Sequence, residues 1–355
     1  MKAARLYQVG KPLQIEEIPD PILKSGSAII RVLSSHIPPF TNGVLSGELG
    51  YALPPLPFTP GVNAIGVVEA VAEDVFGLEV GQTVFCDPYI YSPRHLGAES
   101  DAILIGWTGL ASASGRMQSL WKDGGFAQKV VRPVESLTPL PNAESFNRAL
   151  LASLNYLTVS YGGLLRGELR AGQTLIVNGA TGGLGVMAVL LALAMGVSKI
   201  VAVGRDEQTL QKLVQIDSKR IISARLAGNF SDYSKQIAQA ADGADMVLDV
   251  LGGLTKPEPT IAAINALRPR GTAVFVGGVK TDIPLPYSKI MLEELTIRGS
   301  FMYSKDVPGE IYRMISSGTL DISPIQTHTF PLDKINEAVD HAAKLKGLEQ
   351  CVVMP

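Results

Sequence analysis

The sequence predicts an α/β protein with two domains, a β-rich domain followed by a doubly wound parallel sheet. Short apolar runs separated by Pro and Gly occupy the first 150 residues, and strands alternate with helical segments from about 155 to 300. A glycine-rich turn joins the first strand and helix of the second region. At 355 residues the chain is long for one ordinary domain. We place the first domain at 1–150, completed by 301–355, and the second at 151–300.

The β-rich region is predicted from short strands at regular spacing, which indicate a small β-barrel-like domain. Its predicted strands are Lys2–Val9, Ala28–Ser34, Asn63–Val71, Thr83–Cys86 and Phe126–Val131. A predicted helix, Glu144–Leu165, carries the chain into the second domain. The strands predicted there are Thr174–Asn178, Ile200–Val203, Arg220–Ile222, Met246–Val250, Ala273–Val276 and Leu295–Gly299. We predict a helix at Phe301–Leu320, and one more helix and a closing strand within Thr327–Pro355.

The turn after Thr174–Asn178 has the pattern of a dinucleotide site. Glycines crowd it, and the helix that follows, Val186–Ala194, is apolar nearly all round. Glycine lets backbone approach a pyrophosphate closely, and the N-terminus of a helix favours negative charge. The candidate cofactor residues in this turn are Gly179, Thr181, Gly182, Gly183 and Leu184, with Gly185 packing the helix on the sheet.

The end of the second strand indicates which dinucleotide binds. An acidic residue there would accept hydrogen bonds from the ribose of NAD, but this chain has Gly204 followed by Arg205. A guanidinium can hold a 2′-phosphate through two charge-assisted hydrogen bonds, so we predict NADPH. Asp206 offers a competing interpretation as a ribose ligand. Its other interpretation is the first residue of the next helix, where acidic residues are favourable.

Composition excludes several classes of protein. Lys and Arg total 31 against 33 for Asp and Glu, so the net charge is −2. The chain therefore lacks the excess of positive charge that is typical of nucleic-acid-binding proteins. The apolar stretch Leu184–Val197 is too short to span a bilayer, and the start lacks a secretory signal. With Cys86 and Cys351 as the only cysteines, no disulfide framework is available, and we expect a cytoplasmic protein.

The domain order and its motifs resemble the medium-chain dehydrogenase/reductase superfamily, which implies a GroES-like first domain and a Rossmann second domain. The matching segments besides the glycine turn are Ser46–Val71, Gly81–Phe85, Gly124–Val131, Leu157–Tyr161, Gly243–Gly253, Gly271–Gly278 and Phe330–Ala338. Together they cover nearly the whole chain.

The metal ligands of the zinc-dependent members are missing. Those members carry a Cys, a Gly-His-Glu motif and a further Cys or acid. The corresponding positions here hold Pro38, Val62, Asn63 and Leu154 or Asn155. Cys86 stands alone where a four-cysteine zinc lobe would lie, and His36 by itself is a poor substitute ligand. The chain is therefore similar to the zinc-free branch, which includes quinone oxidoreductases and enone reductases, and we expect no metal.

Without zinc, a conjugated C=C bond or a quinone is an easier hydride acceptor than a simple ketone, because its charge delocalises. The resemblance therefore implies NADPH-dependent reduction of such a small molecule. Reduction of a ketone or imine, and binding of NADPH without catalysis, remain alternatives. Tyr51 is the candidate catalytic residue, since its position matches a Tyr of the zinc-free relatives' substrate pocket. Packing on the Pro-rich loop is its other interpretation.

Further residues are implied to contact the nicotinamide. A helix segment and two strand ends carry them, namely Asn155, Thr158, Gly277, Gly278, Val279, Phe301 and Met302. For Phe301 and Met302 an ordinary place in the core is equally consistent. The region 87–123 matches no motif but contains both tryptophans, so we interpret it as a substrate-shaping or subunit-contact loop. We expect a homodimer without nucleic-acid or membrane partners.

Overall fold

Residues 1–92, 101–111, 114–253 and 256–355 are described by the structure, a computed structural model. The strands are β1 (Lys2–Arg5), β2 (Gln14–Glu17), β3 (Ser27–Ile37), β4 (Ala64–Val71), β5 (Thr83–Cys86), β6 (Tyr89–Tyr91), β7 (Ala102–Leu104), β8 (Thr108–Gly109), β9 (Lys129–Pro133), β10 (Leu137–Pro139), β11 (Thr174–Asn178), β12 (Lys199–Gly204), β13 (Ile221–Arg225), β14 (Ala244–Asp249), β15 (Leu267–Phe275), β16 (Thr296–Gly299), β17 (Gln326–Pro331) and β18 (Glu349–Met354). The helices are α1 (Thr41–Leu45), α2 (Gly115–Leu120), α3 (Arg148–Leu151), α4 (Leu154–Arg166), α5 (Gly183–Ala194), α6 (Glu207–Ile216), α7 (Phe230–Ala241), α8 (Glu258–Asn265), α9 (Tyr287–Leu292), α10 (Val307–Ser316) and α11 (Ile335–Ala342).

The chain divides into two compact units. The first comprises Met1–Asn155, Ile325–Leu345 and Glu349–Pro355, and the second comprises Tyr156–Pro324 and Lys346–Leu348. The sequence analysis assigned 301–324 to the first domain, whereas this segment packs within the second unit. A Cβ on Gly162 of α4 would stand 2.7 Å from the carbonyl oxygen of Met302, so the segment lies directly against that helix.

The first unit is built on a mixed sheet in the order β10-β5-β4-β3-β18-β17, with β9 also paired to β3. The C-terminal strands complete it, because β18 pairs antiparallel with β3 and β17 pairs parallel with β18. The sequence predicted one closing strand in this tail, and the structure has two. The unit has the GroES-like fold expected from the resemblance.

The described residues of the region 87–123 form a lobe with its own small core. Strands β6, β7 and β8 make a three-stranded sheet, and α2 follows it. Ile90, Ile103 and Ile105 are buried, with Met117 and Trp121 packed against them. Apolar side chains therefore hold together the part of this lobe that the structure describes. Arg94 and His95 of this region lie outside the described residues.

The second unit contains a fully parallel sheet in the order β13-β12-β11-β14-β15-β16, flanked by helices, as in a Rossmann fold. The predicted strands all occur, with ends shifted by a few residues. Helix α5 is buried from Gly185 to Ala192, as its uniformly apolar sequence predicts. Strands β11 and β14 are neighbours at the point where the strand order reverses, the position where such sheets bind ligands.

Two predicted helices are shorter or broken. Glu144–Leu165 consists of a 3-10 turn followed by α3 and α4, since the Asn147 side chain accepts a hydrogen bond from the Ala149 N–H at 2.9 Å and starts a new helix. The helix predicted from Phe301 begins only at Val307. Met302 has a left-handed backbone, with φ of +54°, which a helix cannot contain. Among the described helices, none combines the length and apolar character needed to cross a bilayer.

Candidate functional site

The glycines of the turn after β11 serve different purposes. A Cβ on Gly185 would overlap the carbonyl oxygen of Gly179, and one on Gly183 would overlap the ring of Tyr156. These two glycines are therefore needed for packing. Gly182 is exposed, and the nearest atom to a Cβ there would be the Gly179 oxygen at 3.5 Å. Gly182 is thus the glycine whose open side is available to a ligand.

The N-terminus of α5 is open to an anion. Its N-cap is Gly182, which offers no side-chain acceptor to the N–H groups of the first turn. Those N–H groups lack intrahelical partners and carry the positive end of the helix dipole. The turn therefore fits the pyrophosphate of a dinucleotide, with the close backbone approach that such binding requires.

A cavity of about 510 Å³ lies at this turn, within the second unit. It brings together five of the predicted cofactor residues, Gly179, Thr181, Gly182, Gly204 and Arg205. The other residues that line it are Asp206, Leu226, Val250, Leu251, Gly252 and Lys346. The sequence analysis did not assign Leu226, Val250, Leu251, Gly252 or Lys346 to the site. The only indication of this part of the lining in the sequence was that the strand ending at Val250 and strand β13 were predicted, and the lining residues lie at or just after their ends.

Position 204 must be glycine because the side chain of Thr181, across the turn, leaves no space for a Cβ. A Cβ at this position would overlap the side chain of Thr181, so glycine here makes room for protein rather than directly for the cofactor. The next residue, Arg205, is exposed and forms no ion pair with any other residue that the structure describes. Its guanidinium is therefore available to an anion in the cavity.

Asp206 caps the next helix, which was one of its two predicted interpretations. Its carboxylate accepts a hydrogen bond from the Thr209 N–H at 2.9 Å at the start of α6. This hydrogen bond is the main reason that the pKa of Asp206 lies below its usual value, so the group is ionised. One oxygen is committed to the helix, which leaves Asp206 poorly suited to act as the ribose ligand.

A buried polar cluster beneath the cavity was not predicted. The carboxylate of Asp249, at the end of β14, accepts hydrogen bonds from Asn178 Nδ2 at 3.0 Å and Thr260 Oγ1 at 2.7 Å. It also accepts from the N–H of Leu251 at 3.1 Å, which fixes the backbone where it enters the cavity. Burial raises the pKa of Asp249. The only indication of this polar cluster in the sequence was an acidic residue, Asp249, at the end of an apolar strand.

The remaining predicted cofactor residues of the second unit lie outside the cavity lining. Thr158 is fully buried in α4. Gly277 packs against the Leu251 carbonyl, and its N–H already donates to the Asp249 carbonyl at 3.1 Å, so that N–H is not available to a carboxamide. Gly278 is exposed and Val279 half-buried.

Phe301 and Met302 are not ordinary core residues. Phe301 is 64% exposed, which excludes the core interpretation for that side chain. Met302 lines a second, smaller cavity of about 300 Å³ together with Arg166 and Arg298. Tyr303, the next residue, is buried and lines the same cavity.

Tyr51 lies in the first unit, on the loop that follows α1. The loop is anchored at Ala52, whose carbonyl accepts from the Gly109 N–H at 2.8 Å and from Gln118 Nε2 at 2.7 Å. Tyr51 itself is 38% exposed, and partial burial raises the pKa of its phenol. The phenol therefore keeps its proton at neutral pH and is able to donate it.

The position that would hold the Glu of a Gly-His-Glu motif is occupied by a hydrogen-bonding Asn63. Its Oδ1 accepts from the backbone N–H of His36 at 3.0 Å, and its Nδ2 donates to the Ala152 carbonyl at 3.2 Å. Val62 is buried against Val44 and Trp107. Within the described ranges, no group of three His, Cys, Asp or Glu side chains is arranged to hold a metal ion. The side chains at these positions do not fit zinc.

Two family models match successive parts of this chain. The alcohol dehydrogenase GroES-like domain matches residues 24–142, and the zinc-binding dehydrogenase model matches residues 183–317. The fold and the site define an oxidoreductase with a nicotinamide dinucleotide site. Together the two models place the chain in the medium-chain dehydrogenase/reductase family.

Known relatives span the full length of the chain. An NAD-dependent alcohol dehydrogenase of Sulfurisphaera tokodaii is 28% identical and covers 100% of both sequences. A quinone oxidoreductase of Mus musculus is 22% identical over 95% of this chain and 92% of its own. A Sinorhizobium meliloti dehydrogenase of the zinc-binding type, solved with NADP, has the same fold, with a TM-score of 0.81, 19% identity and coverage of 100% of this chain and 99% of its own.

Proposed function

We propose that this protein is an NADPH-dependent oxidoreductase that works without zinc and reduces an activated C=C bond or a quinone. The observation that carries the proposal is made at Val62 and Asn63, two of the positions where a zinc enzyme would place ligands. The Asn63 side chain accepts a hydrogen bond from the backbone N–H of His36 and donates one to the Ala152 carbonyl, and Val62 is buried in an apolar cluster. Because those side chains serve the fold, the reaction requires an acceptor that does not depend on a metal for activation.

The preference for NADPH is supported by the charges in the cavity of the second unit. Arg205 is exposed there without an ion pair among the described residues, and the neighbouring Asp206 is committed to capping α6. A hydroxyl of NADH would leave the guanidinium without an anionic partner, whereas a 2′-phosphate matches its donors. The 28% identical relative from Sulfurisphaera tokodaii is named as NAD-dependent, so Arg205 is where this chain is proposed to differ in its choice of cofactor.

The substrate class follows from what the chain offers in place of zinc. The cofactor supplies a hydride when it is bound. Hydride addition to an enone or quinone places negative charge on oxygen, and a phenol can stabilise that charge by donating a hydrogen bond. Tyr51 keeps its proton at neutral pH, since burial raises its pKa. We assign to Tyr51 the role of donor to the developing enolate, and hydrogen-bond donors of this kind are sufficient only for acceptors that delocalise charge.

A substrate panel tests the proposal. Purified protein is assayed with NADPH and NADH against an enone, a quinone, a simple ketone and an imine, and with NAD⁺ or NADP⁺ against primary and secondary alcohols. We expect turnover of the enone or quinone with NADPH, unchanged after chelation, in protein that contains no stoichiometric zinc by elemental analysis. Alcohol oxidation as the main activity, or chelator-sensitive turnover, would contradict it. NADPH binding without turnover would favour a non-catalytic role.

Assembly and location complete the proposal. We expect a homodimer in a reducing compartment, the cytoplasm. Both cysteines, Cys86 and Cys351, are free and buried, which is compatible with a compartment that keeps thiols reduced. Light scattering of the purified protein tests the dimer, and a monomer at micromolar concentration would contradict it.

A further inference from the structure

We infer that Lys346 is a second cation for the 2′-phosphate of NADPH and acts together with Arg205. The inference rests on the proposed preference for NADPH and adds a residue from the far end of the chain. Both side chains line the same cavity of the second unit, and both residues are exposed. Within the part of the chain that the structure describes, neither residue takes part in an ion pair.

The charge of Lys346 acts on Asp206, the residue that follows Arg205 in the chain and also lines the cavity. The pKa of Asp206 is lowered mainly by its hydrogen bonds from Thr209, and the positive charges of Lys346 and Lys212 add to that effect. The ammonium of Lys346 is therefore close enough to Asp206 for its positive charge to lower the pKa of that carboxyl group. Asp206 lies just past the end of β12, where the adenosine ribose of a dinucleotide is bound in this fold.

A short segment, residues 346–348, brings Lys346 to the cavity, and we call this segment the strap. Residues 346–348 belong to the second unit, although the segments on either side of them belong to the first. Gly347 has a φ of +59°, and a Cβ there would stand 2.6 Å from Cγ2 of Thr209 in the first turn of α6. Glycine thus lets the strap approach the start of α6 closely, and this approach sets Lys346 beside the cavity.

The charges in the cavity favour a dianion over a hydroxyl. Arg205 and Lys346 bring two positive charges, while the single carboxylate of Asp206 has one oxygen occupied by the Thr209 N–H. A phosphate monoester carries close to two negative charges at neutral pH. It would accept two hydrogen bonds from the guanidinium and one from the ammonium, which supplies a point charge rather than a planar fork. A ribose hydroxyl would leave both cations without a partner.

Binding of two adenosine fragments tests the site without any turnover. Calorimetry compares 2′,5′-ADP, which carries the 2′-phosphate, with 5′-AMP, which lacks it. We expect Lys346→Ala to weaken binding of 2′,5′-ADP about tenfold, the low end for a hydrogen bond to a charged group at an exposed site, and to change 5′-AMP little. Lys346→Arg should retain most of the affinity. Lys344→Ala, at an exposed lysine of the same return segment that does not line the cavity, is the matched control and should bind like the wild type.

The double variant shows whether the two cations share one phosphate. If they do, the losses caused by Arg205→Ala and Lys346→Ala should not be additive, because the sites are coupled through the ligand. Equal weakening of both fragments, or no weakening in Lys346→Ala, would overturn the inference and leave the proposed reaction intact. Equal affinity of the wild type for the two fragments would overturn the phosphate site altogether, and the substrate panel would still decide the reaction. Failure on enones and quinones, in turn, would leave the fragment result standing.

Discussion

The side-chain amide nitrogen of Asn155 lies 3.2 Å from Nδ1 of His36, and both residues belong to the first unit. An amide nitrogen only donates, so Nδ1 accepts this hydrogen bond and the neutral ring carries its proton on Nε2. Complete burial of His36 lowers its pKa to about 3. A residue that the sequence offered as a possible metal ligand is therefore a neutral hydrogen-bonding partner within the fold. The same contact gives Asn155, a predicted cofactor residue, a role in the first unit.

His36 should make the first unit sensitive to acid. Its pKa is depressed in the folded state, so the unfolded chain binds the proton more readily between about pH 6.5 and pH 3, and stability falls as the pH falls through that window. The contribution is at most about 1.4 kcal/mol per pH unit. Urea unfolding followed by Trp fluorescence at pH 7, 6 and 5 measures it, since Trp107 and Trp121 both lie in this unit.

The comparison with His36→Gln isolates the effect of His36 from that of the carboxylates. Gln retains a polar side chain of similar size but does not titrate, so the variant should show a shallower loss of stability below pH 6.5. His328→Gln, at a histidine whose side chain is 37% exposed, is the control and should follow the wild type. An unchanged pH slope in His36→Gln would show that the buried imidazole is not the group responsible.

Arg205→Ala should remove most of the preference for NADPH. A hydrogen bond to a charged group contributes about 1.5–3 kcal/mol, so we expect NADPH affinity to fall by about tenfold to a hundredfold while NADH binding is nearly unchanged. Fluorescence titration with each cofactor measures both constants. Arg225→Ala is a suitable control, because Arg225 is already paired with Glu207 at 2.8 Å. A comparable loss for both cofactors would mean that Arg205 supports the fold instead.

Gly204→Ala should impair the binding of both cofactors, because the new Cβ would overlap the side chain of Thr181 and displace the turn. The double variant Gly204→Ala/Thr181→Ala removes the colliding atoms and should recover part of the affinity. Gly252→Ala is the control within the same cavity, since a Cβ there meets no atom within 4 Å. Wild-type affinities in Gly204→Ala would show that the turn adapts without cost.

Tyr51→Phe should reduce turnover much more than cofactor binding. Removal of a positioned proton donor lowers the rate by about 10²-fold or more, while NADPH affinity should change by no more than about twofold. The pH profile gives an independent readout, since the raised pKa of the phenol keeps Tyr51 protonated throughout the neutral range. Steady-state kinetics on several enones measures the effect. Unchanged turnover would exclude Tyr51 as the donor, and Tyr303→Phe would be the next variant to examine.

Local patterns in the sequence were sufficient to predict the parallel sheet of the second unit. The run β11–α5–β12 combines a buried strand, a glycine turn and an apolar helix, and each of these is encoded by neighbouring residues. The same patterns predicted five residues of the cavity, including Arg205. Lys346 was missed because its place depends on a strap that returns to α6 from the far end of the chain.

Other features depended on contacts that short-range patterns do not contain. The left-handed backbone at Met302 excludes a helix at the start of the predicted segment Phe301–Leu320. The hydrogen bond from Gly277 to Asp249 engages an N–H that had been predicted to face the cofactor. In both cases the sequence predicted the neighbouring helix or strand, and at Gly277 a partner distant in the chain determined which N–H remained available.

The pairing of β18 with β3 also fixes an order of events during protein synthesis. Strand β3 leaves the ribosome early, yet its neighbour β18 consists of residues Glu349–Met354. The parallel sheet of the second unit uses strands between Thr174 and Gly299, so all of them emerge before β18 does. The half of the protein that is translated first is therefore the half whose sheet is completed last. Until then, the Ser35–Ile37 end of β3 lacks the pairing with β18, whereas Ser27–Arg31 can already pair with β9. An unpaired strand edge of this kind is a site where a chaperone could bind.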